Sequence, residues 1–190
     1  MTHVSIIGTG NMGQAIAAVA ANGGNSVELF GSADQDRPIT GDVVVLAVPY
    51  PALQQVLAER ADQLAGKVVV DITNPLNFET FDSLVVPADG SAAAELAAKL
   101  PDAKVLKAFN TTFAATVASG QAGDVQTTVL IAGDDADAKA LLSGIVAAGG
   151  LRAVDAGSLT RARELEALGF LQLTLAVGEK VSWAGGFSLV

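Results

Sequence analysis

The amino-acid sequence predicts an α/β fold: a doubly wound, mostly parallel sheet with a helical segment at its C-terminal end. Three observations carry that expectation. Runs rich in Val, Ile and Leu alternate with stretches of helical periodicity along most of the 190 residues. The runs lack polar alternation, as strands covered on both faces do. The first run also passes into the first helical stretch through Gly8-Thr9-Gly10-Asn11-Met12-Gly13, the turn of a βα unit. With right-handed crossovers this pattern gives a Rossmann fold.

The expected strands are Val4–Ile7, Val27–Phe30, Val43–Val48, Val68–Ile72, Val105–Ala108, Thr128–Ala132 and Arg152–Val154. Met12, Ile16, Val19 and Ala20 share one stripe, which predicts the first helix. Gly31 to Gly41 is too short for a second crossover helix and predicts a loop, or one turn at most. Pro51 opens a helix over Pro51–Leu64, because a missing N–H is no loss in a first turn. Ser91 and Asp134 are expected to cap Ala92–Leu100 and Asp135–Ala148, with Glu95 and Asp137 placing negative charge near the positive helix ends. Residues 1–157 form the sheet domain, and 158–190 form a C-terminal helical segment and tail packed on it as one compact unit. Leu159, Ala162, Leu165, Glu166, Leu168 and Gly169 suggest a helix there. Leu171, Leu173, Leu175 and Val177 alternate, leaving that half between helix and strand. Trp183–Val190 reads as a short terminal strand or a contact between two copies.

Composition narrows the function. A net charge of −9 excludes the clustered Lys and Arg of a nucleic-acid surface. No run approaches the roughly 20 apolar residues that cross a bilayer, so no membrane partner is expected. The start lacks a basic segment followed by an apolar one, and there is no cysteine; both suit the cytoplasm. One histidine, His3, and scattered acids give no metal-ligand cluster, so no metal site is expected.

The glycine turn predicts a dinucleotide. Gly8 allows the tight turn, Gly10 the approach of backbone to a pyrophosphate, and Gly13 close packing of helix on strand. Thr9, Asn11 and Met12 complete a loop whose N–H groups face an anion at a helix N-terminus. An NAD-selective site places an acid at the end of the second strand; here Glu28 falls too early and the tip is Gly31-Ser32. That tip leaves room for a 2′-phosphate, with Ser32 donating a hydrogen bond and Arg37 a charge, although Asp34 and Asp36 oppose it. NADP is therefore favoured over NAD.

Ligands of such sheets bind beyond the carboxyl ends of the strands. Those ends add Val48-Pro49-Tyr50, Thr73-Asn74-Pro75-Leu76 and Ala108-Phe109-Asn110-Thr111 to the crevice. No group is convincingly placed for acid–base work: Lys107 precedes Phe109, and Tyr50 is a weak donor. No catalytic residue is nominated. Hydride transfer between two planar rings requires stacking and alignment instead, with Asn74, Phe109 and Asn110 nearest the site of transfer.

At these residues the chain resembles the NADPH-dependent oxidoreductases of the deazaflavin coenzyme F420, to which the reductase domains of the STEAP metalloreductases are related. The resemblance covers nearly the whole chain. It rests on Ile7–Gly13, Val70-Asp-Ile-Thr-Asn-Pro-Leu76, Lys107-Ala-Phe-Asn-Thr111, Gly133-Asp-Asp135 with Ala138-Lys139, and Asp155-Ala-Gly-Ser-Leu159 with Ala162-Arg163 and Leu165-Glu166. It implies an NADP-binding Rossmann domain and direct hydride exchange with F420 or a flavin. Ser32 would then lie near the 2′-phosphate, and Val48, Pro49, Asn74, Phe109 and Asn110 would flank nicotinamide and acceptor ring. Arg161, Arg163 and Lys180 are the cations available to an acidic acceptor tail, and family precedent with the apolar C-terminus suggests a homodimer. The family's Ser-Arg pair after the second strand is here Ser32-Ala33, and the helix that follows is largely missing. Two rivals stand beside this reading. One is a pyrroline-5-carboxylate reductase, whose opening resembles Ile7–Ala15 but which carries a further helical dimerisation domain without counterpart in these residues. The other is a non-catalytic dinucleotide sensor that binds a protein partner.

Overall fold

A computed structural model describes the whole chain, Met1–Val190. Its elements are β1 (His3–Ile7), α1 (Asn11–Asn22), β2 (Ser26–Phe30), β3 (Val43–Leu46), α2 (Leu53–Arg60), β4 (Val68–Asp71), α3 (Ala92–Lys99), β5 (Lys104–Lys107), α4 (Ala114–Ser119), β6 (Gln121–Ala122), β7 (Val125–Gln126), β8 (Thr128–Gly133), α5 (Ala136–Ala148), β9 (Arg152–Gly157) and α6 (Ala162–Val177). One seven-stranded sheet runs β2-β1-β3-β4-β5-β8-β9, and β6 pairs only with β7. Within the large sheet the strands are parallel except at β5–β8, and the β6–β7 pair is antiparallel. This is the doubly wound Rossmann architecture, with β1 between β2 and β3 where the winding reverses direction. Gly31 to Gly41 is a loop without a helix.

Strand alternation divides the interior into two cores. Val4 and Ile6 of β1, Val43 and Val45 of β3, and Val68 and Val70 of β4 face α1 and α5. Ile7, Val44, Leu46, Val69 and Val105 face the other way, toward α2 and α3. Both faces are thus apolar, which is why these strands read as unbroken Val-rich runs. The same parity sends Asp71, two residues after Val69, and Lys107, two after Val105, to the α3 side of the sheet.

Several expectations change in detail. The segment after β3 is a 3₁₀ turn at Tyr50–Ala52, then α2, then a second 3₁₀ turn at Ala61–Gln63. Ser91 caps α3 by accepting from Ala94 N–H at 3.0 Å. Asp135, not Asp134, caps α5 by accepting from Ala138 N–H at 2.8 Å, and Asp134 instead accepts from Leu159 N–H. The antiparallel step follows from α4 and the short β6–β7 pair, which turn the chain before β8.

The ambiguous C-terminal stretch is helix throughout. Ala162, Leu165, Gly169, Gln172 and Ala176 are its buried face, at helical spacing, whereas the alternating Leu171 and Val177 are exposed. The tail is not a strand. It folds back on its own chain, with Trp183 against Phe113 (ring centroids 4.8 Å apart), Phe187 N–H donating to Gln172 Oε1 (2.9 Å), and Arg152 donating to the Leu189 carbonyl (3.1 Å). No helix is long and apolar enough to cross a membrane.

Candidate functional site

The carboxyl ends of β1, β2 and β3 enclose a cavity of about 320 Å³, bordered by Gly8, Thr9, Phe30, Ser32, Val48 and Arg60 among others. Gly8 borders it, and the three glycines of the turn do different work. Gly8 has φ +121°, and a Cβ there would overlap the Ala47 carbonyl oxygen; one on Gly13 would overlap the Gly8 carbonyl. These two let β1, β3 and α1 meet. A Cβ on Gly10 would have nothing within 4 Å. Gly10 is the N-cap of α1, which has no side-chain cap and no acid in its first turn. That helix end, with Asn11, Met12 and Gly13, therefore offers backbone N–H groups and a positive dipole to an anion.

At the far end of the cavity the second-strand tip is built as expected in part. Ser32 is exposed and borders the cavity. Glu28 points elsewhere, accepting from Ser5 Oγ at 2.6 Å and from Thr40 N–H and Oγ1 at 3.1 Å each. Burial pushes its carboxyl up, but those hydrogen bonds prevail and hold it below the ordinary value. Arg37 does not border the cavity. Its guanidinium lies 3.8 Å over the Phe30 ring, pairs with Asp34 at 3.2 Å and donates to the Leu29 carbonyl at 2.6 Å. The cation that does border it is Arg60, from α2, a residue that no sequence signal singles out.

The crevice continues past the ends of β3, β4 and β5. Val48 and Tyr50 are half-buried and Pro49 exposed. Tyr50 Oη donates to Glu95 Oε2 at 2.8 Å; burial and then that partner push its pKa up to about 12. Its proton is committed to Glu95 at neutral pH. Asn74 Nδ2 donates to the Asn110 carbonyl (2.9 Å), and Asn110 Nδ2 donates to Asn74 Oδ1 (3.0 Å) and to the Leu165 carbonyl of α6 (2.8 Å). Ala108, Phe109 and Asn110 lie beneath the crevice rather than open to it; the Phe109 ring, 1% exposed, belongs to the core facing α1. Phe109 nevertheless holds φ +61°, a left-handed conformation costing roughly 1–2 kcal/mol in a residue with a side chain. Its carbonyl is fixed by Thr112 N–H and Thr112 Oγ1 at 3.1 and 2.7 Å. Pro75 is buried beside Asn74.

Helix α6 seats directly on this amide pair because Gly169 has no side chain. A Cβ there would overlap Asn74 Oδ1 and stand 2.8 Å from the Asn110 carbonyl. Gly169→Ala is expected to lower stability by about 1–3 kcal/mol, read as an earlier urea midpoint; an unchanged midpoint would mean α6 is not held there.

Under the same crevice lies a buried charge cluster. Lys107 Nζ meets Asp71 Oδ2 at 2.9 Å, Glu166 Oε1 at 2.8 Å and the Thr73 carbonyl at 2.5 Å, with side-chain exposures of 0%, 0% and 1% for Lys107, Asp71 and Glu166. Glu166 also accepts from Ala92 and Ala93 N–H at 2.9 and 3.2 Å, capping α3 from α6. Burial raises the Glu166 carboxyl above its ordinary value, opposed by Lys107 and the Ala92 N–H. Asp71 Oδ1 accepts from Thr73 N–H at 2.8 Å. Both sides of the turn leading to Asn74 are thereby fixed. The cluster is a joint, since Lys107 is enclosed by its partners. The blocks around Asp134, Lys139 and Asp155 are joints too: Lys139 Nζ bonds both Asp155 carboxylate oxygens at 2.9 Å, and Asp134 holds the lead-in to α6.

The sequence's relatives agree with this architecture. Residues 26–75 match the family model described as NADP oxidoreductase, coenzyme F420-dependent. The F420-dependent NADP reductase of Methanocaldococcus jannaschii is 31% identical over 166 residues, covering 85% of this chain and 74% of that protein. The metalloreductase STEAP3 of Rattus norvegicus is 32% identical over 87% of this chain but only 36% of its own length. Among solved structures, a candidate F420-dependent NADP reductase from Arthrobacter sp. FB24 superposes with a TM-score of 0.88 at 25% identity, covering 100% of both chains. With its uncapped glycine turn, its Asn74–Asn110 pair and relatives that match along most of its length, the chain belongs to the family of coenzyme F420-dependent NADP oxidoreductases.

Proposed function

We propose that the protein moves a hydride between NADP(H) and a planar redox acceptor, coenzyme F420, and does so by binding and alignment alone. The observation that carries this reading is the uncapped end of α1, with open space at Gly10, beside strand ends where Tyr50 and Lys107 are both engaged by carboxylates. The first-turn N–H groups of α1 would hold the pyrophosphate and Ser32 the far ribose. Val48, Pro49, Tyr50 and Asn74 would border the rings, with Pro75, Phe109 and Asn110 fixing the floor from below. When bound, the two ring systems supply the chemistry: hydride passes from reduced nicotinamide to the acceptor, and solvent supplies the balancing proton. The chain's task is to hold the rings in register; Tyr50 is tied to Glu95, and Lys107 lies enclosed by Asp71 and Glu166, out of the rings' reach.

The test is turnover. Protein, NADPH and F420 are mixed and the visible absorbance of F420 is followed, with FMN and a ferric chelate as parallel acceptors. Loss of F420 absorbance at a rate proportional to enzyme is expected, with slower or no reduction of the other two. Faster reduction of FMN would make a flavin the acceptor. Tight NADPH binding without oxidation by any acceptor would leave a dinucleotide sensor.

A further inference from the structure

Two cationic side chains are buried in this protein, and they differ in one respect. Lys107 has two carboxylates against it, whereas Arg60, 4% exposed, has none within ion-pair distance. Its guanidinium donates to the Arg37 carbonyl at 3.0 Å and to the Asp34 carbonyl, and sits 5.2 Å from the centroid of the Phe30 ring. Both bonded partners are neutral. An arginine carries five N–H donors, so three remain after those two bonds, and the side chain borders the cavity alongside Gly8, Thr9 and Ser32. A buried charge without a counter-ion is an unfavourable placement unless something completes it. Glu59 also borders the cavity, but it is exposed and its carboxylate accepts from Gln55 at 2.8 Å. The neighbouring Asp34 carboxylate is already held by Gly31 N–H at 2.7 Å and by Arg37.

We propose that Arg60 recognises a phosphate monoester in this cavity, the 2′-phosphate that separates NADP from NAD, and that Arg37 does not. This rests on the nucleotide reading of the site given above. The assignment explains a gap in the second-strand tip: Ala33 offers no charge, and Arg37 is neutralised by Asp34 with Glu28 a further 3.8 Å neighbour. A different element supplies the missing cation. The last turn of α2 brings Arg60 under the loop, and its bonds to the Asp34 and Arg37 carbonyls hold loop and guanidinium together. The phosphate would meet a planar, permanently charged fork suited to bidentate binding.

The experiment is calorimetric titration of the full chain with NADPH, NADH, 2′,5′-ADP and 5′-AMP, on wild type, Arg60→Gln, Arg60→Lys and Arg37→Gln. Arg60→Gln should raise the Kd of NADPH and of 2′,5′-ADP at least tenfold, a change of about 1.4 kcal/mol, while NADH and 5′-AMP move less than twofold. Arg60→Lys should fall between, and Arg37→Gln should leave the NADPH-to-NADH ratio within threefold. In the wild type, raising salt should weaken NADPH more than NADH, a readout that needs no variant. Equal losses for NADPH and NADH in Arg60→Gln and Arg60→Lys would reduce Arg60 to a structural role and overturn the proposal. So would a preference that survives in both, or one that vanishes in Arg37→Gln. A wild type that binds NADPH and NADH equally overturns this inference alone; one that binds none of the four nucleotides overturns the nucleotide reading itself.

Discussion

Lys107→Met is expected to lower the unfolding free energy at neutral pH by about 3–5 kcal/mol. The ammonium group is the shared counter-ion of Asp71 and Glu166, both sealed from water on the α3 side of the sheet. Methionine fills the same volume but leaves two carboxylates facing each other in a low-dielectric interior, with the Thr73 carbonyl also losing its donor. The loss should depend on pH, and its sign follows from Glu166. Burial already holds that carboxyl above its ordinary value of 4.5, against the pull of Lys107. A native state that binds the proton more tightly than the unfolded chain is favoured below the ordinary value and loses that advantage as pH rises through the raised one. Removing Lys107 removes the opposing pull and widens the window. Urea melts at pH 5 and pH 8 should therefore show the variant much closer to wild type at the lower pH. A variant as stable as wild type at pH 8 would show that the cluster does not hold the fold together. Glu166→Gln should cost less, because an amide oxygen still accepts from Ala92 or Ala93 and from Lys107.

That cluster also marks where legibility in the sequence stopped. The strands were readable because burial on both faces demands continuous apolar runs, and the parallel order followed from their alternation with helices. Asp71 and Lys107 each end such a run, one acid and one base on neighbouring strands in matched register. A charged residue closing an otherwise unbroken apolar strand is the signal that could have found them. Glu166 had no such signal, since its place depends on α6 crossing α3, a contact far apart in the chain. The antiparallel β8 was hidden for a related reason: α4 has six residues and β6 and β7 two each, too few for periodicity to register. At the site, the glycine turn was legible because Gly8 and Gly13 answer local backbone demands and Gly10 leaves the end of α1 open. Arg60 was not, because a cation in the middle of a helical pattern reads as solvated surface until the loop after β2 is seen closing over it. The alternation of Leu171 to Val177 left helix and strand undecided for the opposite reason, since half of it is exposed and carries no packing.

Gly10→Val should separate binding from folding. Gly10 has φ −71° and ψ 178°, a conformation open to any residue, and a Cβ there meets nothing within 4 Å. The substitution should cost at most about 1 kcal/mol of stability, the penalty of a poorer N-cap. A valine at that position fills the approach to the first turn of α1, where a pyrophosphate must come within hydrogen-bond distance of the backbone. The Kd for NADPH is expected to rise about 100-fold or more, some 2.7 kcal/mol, with turnover lost in proportion. Gly8→Ala, two residues earlier, should fail the other way. It demands a left-handed backbone of a residue with a side chain and drives a methyl group into the Ala47 carbonyl, so stability itself should fall by about 3 kcal/mol or more. Thermal melts and NADPH titrations on the two variants form the check. If Gly10→Val keeps NADPH affinity within a few-fold while remaining folded, the space above the α1 N-terminus is not where the dinucleotide lies, and hydride transfer at this crevice loses its foundation.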